Sequence, residues 1–385
     1  MKTNWLNVCF DMMEAYTPSH CDEHTTAARF ATISTHAKLV TQYFYSAAMH
    51  KDEFIKAGKM FEKIGDCFEE CGMYNNVLDN YFTALKIKEQ HFGEMHPDTA
   101  MLYGNIGLFF TTTGRYDDAI EWQNKAIAVF EEVCGENHLE TAIAYNNLGL
   151  TQVKQGEYDS AIELYSKTLK IDERLCGHDH IETAADHNNI GEAYLLKGDY
   201  ETAKIHLKKA LDIKTKQVGD NHPNTAITYN NLGSAYWRLK DYKKALEHSE
   251  KALATYKTIY GDNHPSTALA YSNIASILAD EGNHHEAHRL FVYALSIRKN
   301  VLGIHHPETA MNYHNIGTIF YDNDYNVQAL PYFLTAYQLF QKIVHDQHND
   351  VQLVVRHLKS VHERMKITQP FSEWLLHESS KHFDI

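Results

Sequence analysis

Residues 138–177 read HLETAIAYNNLGLTQVKQGEYDSAIELYSKTLKIDERLCG, and residues 180–219 read HIETAADHNNIGEAYLLKGDYETAKIHLKKALDIKTKQVG. The two segments align without a gap at a spacing of 42 residues. A self-similar unit of this length is typical of a repeat array, in which each unit packs only against its neighbours. One repeated piece of supersecondary structure therefore decides the fold of this chain.

The same unit recurs along most of the chain, and several residue types keep the 42-residue spacing. The recurring histidines are His96, His138, His180, His222, His264, His306 and His348. The recurring asparagines, which we name the first amide column, are Asn105, Asn147, Asn189, Asn231, Asn273 and Asn315. Three of these have an asparagine just before them, and this second amide column consists of Asn146, Asn188 and Asn230. One further unit without the histidine extends the array upstream, so seven units are predicted over residues 54–347.

Each unit reads as two helices. Pro97 and Pro223 stand where a first helical turn begins, because a missing N–H is tolerated there. A glycine such as Gly198 then ends the first helix in a left-handed conformation. At the equivalent positions Lys240 and Asp324 replace the glycine, and we expect those two turns to differ. The predicted fold class is all-α, a superhelical solenoid of paired antiparallel helices.

Small residues recur inside the unit at two places, in the columns of Gly107 and Ala119. Two helices approach closely only where side chains are nearly absent, and larger neighbours then interdigitate. These columns therefore predict the contact line between the two helices of a unit. A larger residue in either column should overpack the pair at a cost of about 1–3 kcal/mol.

Composition and charge restrict the classes of partner. The formal net charge is −14, which disfavours phosphate backbones and anionic membrane surfaces. A protein or peptide partner, basic or neutral, is the better expectation. The N-terminal segment is interrupted by Asp11 and Glu14, which argues against a signal peptide. Because the sequence also has no apolar run of about 18 residues, a cytoplasmic location is expected.

The two ends of the chain are predicted to cover the array. Residues 1–53 read as a helical N-terminal cap or a degenerate repeat, and residues 348–385 as C-terminal capping helices. An open solenoid end would expose apolar surface, which is the physical reason for such caps. The amphipathic segment 371–376 either covers the C-terminal end or docks into a groove.

No sequence motif for catalysis, a metal or a cofactor is present, and we predict a protein that is not an enzyme and carries no cofactor. The recurring histidines would lie about 10 Å apart in neighbouring units, which is too far to share one metal ion. Local capping of the helices, or a contact between units, is their expected role. His284 and His288 lie four residues apart on one helix, and packing is the favoured interpretation there as well.

The pattern of Ile106, Gly107, Gly114, Tyr116 and Ala119 resembles the tetratricopeptide repeat. The long unit, with its histidine-proline start and an internal Asn-Asn-Leu-Gly, looks like the kinesin-light-chain type of this repeat. Kinesin light chains carry a long heptad coiled coil before their repeats. Residues 1–53 show no sustained heptad, so the resemblance is to the repeat type and not to a true kinesin light chain.

The resemblance implies that first helices line a concave groove that grips extended or helical peptides. An amide both donates and accepts hydrogen bonds, so a spaced ladder of amides can hold a peptide backbone. Trp237 with Arg238 is expected to form an anchor pocket with a charge beside it. The candidate groove residues are Asn105, Asn146, Asn147, Asn188, Asn189, Asn230, Asn231, Trp237, Arg238, Asn273 and Asn315.

Two structural alternatives stay open for these residues. The amides can instead tie adjacent repeats together, and Trp237 can be a core residue. A carboxylate clamp, which chaperone-binding repeats build from Lys and Arg on first helices, is not expected. The corresponding positions carry no cation, as Ile143, Asn147 and Ile227 illustrate.

The leading functional hypothesis is a non-catalytic adaptor or scaffold that binds a partner protein or peptide in the groove. The first alternative is a ligand-responsive sensor whose superhelical pitch changes on binding. The second is an enzyme accessory or divergent enzyme that uses the histidine-rich surface.

Overall fold

The computed structural model describes residues 51–70, 74–343 and 348–380. The predicted N-terminal cap over residues 1–53 lies almost entirely outside this part of the chain. Within the described ranges the backbone forms α-helices, one 3₁₀ helix at Tyr74–Asn76 and connecting turns, with no β-strand. The all-α prediction is confirmed.

The helices alternate between the first and second helices of the repeats. They are α1 (Lys51–Glu70), α2 (Val77–Phe92), α3 (Pro97–Thr112), α4 (Tyr116–Val133), α5 (Leu139–Gln155), α6 (Tyr158–Leu175), α7 (Ile181–Lys197), α8 (Tyr200–Val218), α9 (Pro223–Arg238), α10 (Tyr242–Tyr260), α11 (Pro265–Asp280), α12 (His284–Val301), α13 (Pro307–Asp322), α14 (Asn326–Ile343), α15 (Asn349–Arg364) and α16 (Phe371–Ser379).

The chain divides into two units. Of the described residues, unit 1 contains 51–70, 74–112 and 116–147, and unit 2 contains 113–115, 148–343 and 348–380. In the described part of unit 1, α1 packs against α2 and α3 packs against α4. Its core includes the buried rings of Phe61, Phe110 and Phe130.

Unit 2 repeats the same arrangement from α7 to α14, and each second helix also packs against the first helix that follows it. Successive first helices touch each other directly, α7 with α9, α9 with α11 and α13 with α15. At the C-terminal end, α16 packs against α14. Trp374 and Leu375 of α16 belong to the same buried cluster as Phe333, Phe340 and Val354.

The recurring histidines cap the first helices. In each case the backbone N–H two residues later donates a hydrogen bond to the histidine Nδ1, over distances of 3.1–3.3 Å. The first backbone N–H groups of a helix lack partners inside the helix, and this bond satisfies one of them. The capping prediction is confirmed. Because Nδ1 accepts, the capping ring must be unprotonated at that nitrogen.

The turns between the two helices of a repeat keep one geometry whether or not glycine is present. Gly198 has a φ of 95°, and Lys240 and Asp324 also have positive φ values, 62° and 63°. The expectation that these two turns differ is wrong. The hydrogen bonds that close the turn explain this, for example Asp241 N–H to the Tyr236 carbonyl at 2.9 Å. These hydrogen bonds form although a non-glycine residue in the left-handed conformation costs some free energy.

The glycine and alanine columns mark the close approach between the two helices of a repeat, as predicted. A Cβ added to Gly191 would lie 2.6 Å from Leu207 Cγ and 3.2 Å from the backbone oxygen of Ala203. Gly107 and Gly233 face the equivalent alanine oxygens at the same 3.2 Å. A backbone oxygen cannot turn aside as a side chain can, so a Cβ at Gly191 must displace Leu207 or push the two helices apart. The column carries a larger residue only at Ala275, where the added group is a single methyl.

We expect Gly191→Ala to destabilise unit 2 by about 1–3 kcal/mol through overpacking, although alanine is the better helix former. Gly104→Ala is the matched control, because a Cβ there would meet only Asn147 Nδ2 at 3.7 Å. That control should gain about 0.5–1 kcal/mol. Urea unfolding followed by circular dichroism measures both, and a Gly191→Ala variant as stable as the parent would contradict the close-approach account.

Candidate functional site

In each first helix from α3 to α13, an amide and an apolar side chain lie on the same side of the helix. We name this surface the first-helix face and define it by the first amide column and the apolar column four residues before it. The apolar column consists of Met101, Ile143, Ala185, Ile227, Leu269 and Met311. Residues four apart lie on the same side of a helix, so each apolar side chain stands next to the amide of its own repeat.

Four members of the apolar column are exposed to solvent. The exposed fractions are 48% for Met101, 55% for Ile143, 45% for Ile227 and 43% for Leu269. Exposed apolar side chains that recur at a regular spacing indicate an interaction surface. The sequence analysis noted Ile143 and Ile227 only as positions without a cation and did not predict that this apolar column is a binding surface. Its signal in the sequence is the recurrence of apolar residues at one position of the first helix.

The two amide columns lie in different environments. All six members of the first column are partly exposed. In the second column, Asn188 and Asn230 are buried and Asn146 is partly exposed. Consecutive residues of a helix are rotated by about 100°, so the two columns cannot share one surface. Asn188 and Asn230 therefore lie inside the repeat stack, and a ligand on the first-helix face would not reach them in this conformation.

A buried chain of hydrogen bonds connects the interior of unit 2 with this face. Lys214 Nζ donates to Thr228 Oγ1 at 2.9 Å, and Thr228 Oγ1 donates to Asn188 Oδ1 at 3.1 Å. Asn231 Nδ2 donates to the same oxygen at 3.3 Å. Burial lowers the pKa of Lys214 to about 8. The chain joins α7, α8 and α9 through side chains alone.

Members of the first amide column also connect neighbouring repeats. Asn105 Nδ2 donates to Glu62 Oε1 at 3.2 Å within unit 1, and the Asn231–Asn188 bond does the same within unit 2. Both pairs are separated by 43 residues, one repeat plus one position. For these two amides, a tie between repeats is part of the role. Such a tie also holds the amide in place for any ligand that lies across the face.

Trp237 lies at a junction between repeats. Its Nε1 donates to Asp280 Oδ2 at 2.9 Å, and the guanidinium of Arg238 lies 4.3 Å from the centre of its ring. The ring is partly exposed and packs against a buried cluster that includes Leu232. Part of the Trp237 ring is therefore in the core and part is at the surface. The sequence had left two roles open, a core residue and an anchor for a ligand, and the position of the ring is intermediate between them.

Acidic groups lie at the C-terminal end of the face in unit 2. Asp280 and Asp322 occupy the last residues of α11 and α13. A negative charge is unfavourable at the C-terminal end of a helix dipole. Burial, together with the nearby Asp280, raises the pKa of Asp322. A cationic group of a ligand would relieve both effects.

A carboxyl pair is buried between α6 and α7. Asp172 and Asp186 are both buried, and burial raises the pKa of both carboxyls, so that the pair can share one proton. Asp172 Oδ1 and Asp186 Oδ2 have no hydrogen-bond partner. Burial and the charge of Asp172 raise the pKa of Asp186 far above the usual range. The sequence signal for this pair is a spacing of 14 residues across a repeat boundary.

Two histidine pairs are also packed inside unit 2. His187 Nδ1 lies 3.1 Å from His206 Nδ1, and His314 Nε2 lies 3.1 Å from His357 Nδ1. Burial and the neighbouring histidine lower the pKa of both His187 and His314 to about 4. His187 and His314 are therefore neutral at pH 7 and serve as packing groups.

Residues 51–70, 74–343 and 348–380 contain neither a cluster of metal-binding side chains nor a membrane-spanning helix. No three His, Cys, Asp or Glu side chains of these ranges converge closely enough to hold a metal ion. No helix in the same ranges is both long and apolar enough to cross a bilayer.

The family model described as "Tetratricopeptide repeat" matches the sequence in overlapping windows, at residues 57–132, 98–174, 153–216, 187–258, 224–297 and 266–342. These windows cover the repeats from α1 to α14. No curated protein matches at a significant level.

Several solved structures are similar in fold. RapI without ligand is 18% identical, with a TM-score of 0.57 over 74% of this chain and 98% of that chain. A Rap protein complexed with Competence and Sporulation Factor is 13% identical, with a TM-score of 0.51 over 95% of this chain and 99% of that chain. A variant of a putative kinesin light chain from Podosopora anserina is 20% identical, with a TM-score of 0.45 over 53% and 96%.

Proposed function

The chain belongs to the tetratricopeptide repeat family, and on this premise we propose that it is a non-catalytic adaptor or scaffold. Its first-helix face lines a groove that binds a peptide segment of a partner protein. The observation that carries the proposal is the pairing, in successive repeats, of a partly exposed amide with an exposed apolar side chain. The amide meets the backbone of the peptide and the apolar residue meets its side chains.

The spacing of the repeats suits an extended ligand. Neighbouring helices pack about 8–10 Å apart, and an extended chain advances about 3.3 Å per residue. About every third residue of the peptide would then meet the next repeat. The apolar column would contact side chains at that interval, and the amides would bind the backbone between them.

The partner is expected to be basic or neutral. The net charge of −14 and the acidic ends of α11 and α13 favour a cationic segment. A solenoid of similar fold has been solved in complex with Competence and Sporulation Factor, which agrees with a binding role. Phosphate backbones and membrane surfaces are not the proposed partners, and the proposed location is the cytoplasm.

The test is direct binding by a variant of the face. We expect Ile227→Ser combined with Asn231→Ala to weaken binding by about tenfold or more, since one apolar contact and one amide are lost. Proteins captured from a native extract by the parent chain, identified by mass spectrometry, supply the sequences for overlapping peptides. Fluorescence anisotropy with these peptides then gives the dissociation constants.

Ile205→Ser is the matched control. Ile205 lies on the second helix α8 and is 56% exposed, so it resembles Ile227 in chemistry but lies off the face. The control should bind like the parent. If the face variant binds every peptide as tightly as the control does, binding lies elsewhere and the proposed function fails.

A further inference from the structure

A cavity of about 110 Å³ lies in unit 1 between α3, α4 and α5. Gly104, Ala144 and Phe130 line it and are buried. Met101 and Ile143 of the apolar column line it as well. Because these last two side chains are largely exposed, the cavity opens onto the first-helix face. We name it the Gly104 pocket.

The pocket exists because a side chain present in other repeats is missing here. The positions equivalent to Gly104 in the following repeats are Asn146, Asn188, Asn230, Ser272 and His314. Two of the positions in unit 2 bond to a residue 40 positions later, Asn188 from Thr228 at 3.1 Å and Ser272 to Asn312 at 3.2 Å. The same spacing joins Gly104 to Ala144, where both residues are small. The space that an amide fills elsewhere is therefore open.

The size of the pocket selects one class of occupant. Pockets for whole metabolites usually measure about 300–1,000 Å³, so this one takes a single side chain of a larger ligand. An apolar cavity of about 150 Å³ is known to hold benzene, and this pocket is smaller than that. An aliphatic side chain fits better than an aromatic ring.

The polar groups of the pocket fix the rest of the ligand. Asn105 and Asn147 also line the pocket, where their amides can meet a peptide backbone next to the inserted side chain. Glu140 is the one charged residue among the described residues that line it. A cation next to the inserted side chain would pair with this carboxylate.

We propose that the Gly104 pocket is a specificity site that takes a Leu, Ile, Val or Met side chain flanked by Lys or Arg. The inference rests on the proposed peptide-binding function and names the class of peptide. The aliphatic side chain enters over Gly104 and Ala144, and the neighbouring cation binds Glu140. Unit 1 therefore reads one short aliphatic–basic segment of the partner.

The test uses the full chain with ¹³C-labelled methionine and isoleucine methyl groups and the probe acetyl-Arg-Leu-Arg-amide. The probe should shift the methyl signals of Met101 and Ile143. The analogues with Trp or Gly in the centre, or with Glu in place of both Arg residues, should bind about tenfold more weakly. Absence of any shift with the first probe at about 10 mM would overturn the proposal.

Filling the pocket gives the decisive variant. Gly104→Asn restores the amide of the other repeats and should reduce the shifts by about tenfold. Gly104→Ser, which mimics Ser272, should have an intermediate effect and guards against a fold defect in the first variant. Glu140→Gln should remove the preference for Arg over Glu and keep the preference for Leu over Trp.

The outcomes separate this inference from the proposed function. Equal shifts in the parent and in both Gly104 variants would overturn the pocket proposal, while the test at Ile227 and Asn231 stands independently in unit 2. Loss of partner binding in the Ile227/Asn231 variant together with unchanged Gly104 variants would keep the adaptor function and reject the pocket.

Discussion

Lowering the pH from 7 to 5 should destabilise unit 2 by about 4 kcal/mol, because two buried histidines must remain neutral in the folded state. The pKa values of His187 and His314 are lowered to about 4, whereas an unfolded histidine titrates near 6.5. Each of them contributes about 2 kcal/mol of this loss at pH 5. The total is comparable with the net stability of a small domain, about 5–15 kcal/mol.

The direction of this effect follows from which state binds protons. Below pH 6.5 the unfolded chain takes up protons at these two residues and the folded chain does not, so the unfolded state gains. The loss of stability begins near pH 6.5 and is complete near pH 4. The histidine caps act in the same direction, because burial also lowers the pKa of His306 and His348. A protonated Nδ1 can no longer accept the capping hydrogen bond.

Urea unfolding at pH 7, 6 and 5 measures this loss directly. The variant carrying His187→Gln and His314→Gln lacks both titrating rings and should lose about 4 kcal/mol less than the parent over this range. Exposed His178→Gln, on the loop after α6, serves as the control and should follow the parent. Identical pH profiles for the parent and the double variant would show that the two rings are protonated without cost.

Asp186→Asn should stabilise unit 2 by about 1–3 kcal/mol at pH 8, which is the reverse of most substitutions in a core. The pair of Asp172 and Asp186 in the parent can share one proton, and each carboxyl has one oxygen without a hydrogen-bond partner. An asparagine at position 186 can donate its N–H to the Asp172 carboxylate and needs no added proton. The substitution changes little in volume.

The gain should depend on pH with a defined sign. The folded-state pKa of Asp186 is raised, so the parent folds with a bound proton that the unfolded chain releases above about pH 4. The cost to the parent therefore grows as the pH rises, and the advantage of Asp186→Asn is larger at pH 8 than at pH 5. Thermal unfolding at both values measures the difference, with exposed Asp212→Asn as the control. A variant that is less stable than the parent at pH 8 would refute the shared-proton account.

Much of the fold follows from columns of residues that sequence alone makes visible. The helix pairs, the histidine caps and the close approach at Gly191 are each set by contacts inside one repeat, which the spacing reveals. The turns at Lys240 and Asp324 were predicted wrongly, because hydrogen bonds around the turn outweigh the preference of one residue.

The candidate site was harder to predict for a geometric reason. Asn188 and Asn189 are neighbours in sequence, yet one is buried and the other lies on the first-helix face, because a helix turns by about 100° per residue. The Gly104 pocket depends on two residues in different helices, and the buried pair Asp172 and Asp186 likewise spans a repeat boundary. Columns show what recurs within a repeat, while these features arise where one repeat meets the next.

Residues 40 positions apart meet at the junctions between repeats, and the described junctions differ in how these two positions are filled. At a junction with two small residues, such as Gly104 and Ala144, a pocket is open to a ligand side chain. At a junction with an amide, such as Asn188 and Thr228, the asparagine side chain fills this space. Whether one junction is open or filled does not change the helix packing at the other junctions. At the junction of Asn230 and Ala270 the second residue is already small. The single substitution Asn230→Gly would therefore give this junction the same two small residues as the Gly104 pocket. A repeat protein of this kind can acquire new partners when a larger residue at one junction is replaced by glycine or alanine. The packing of its core does not have to change.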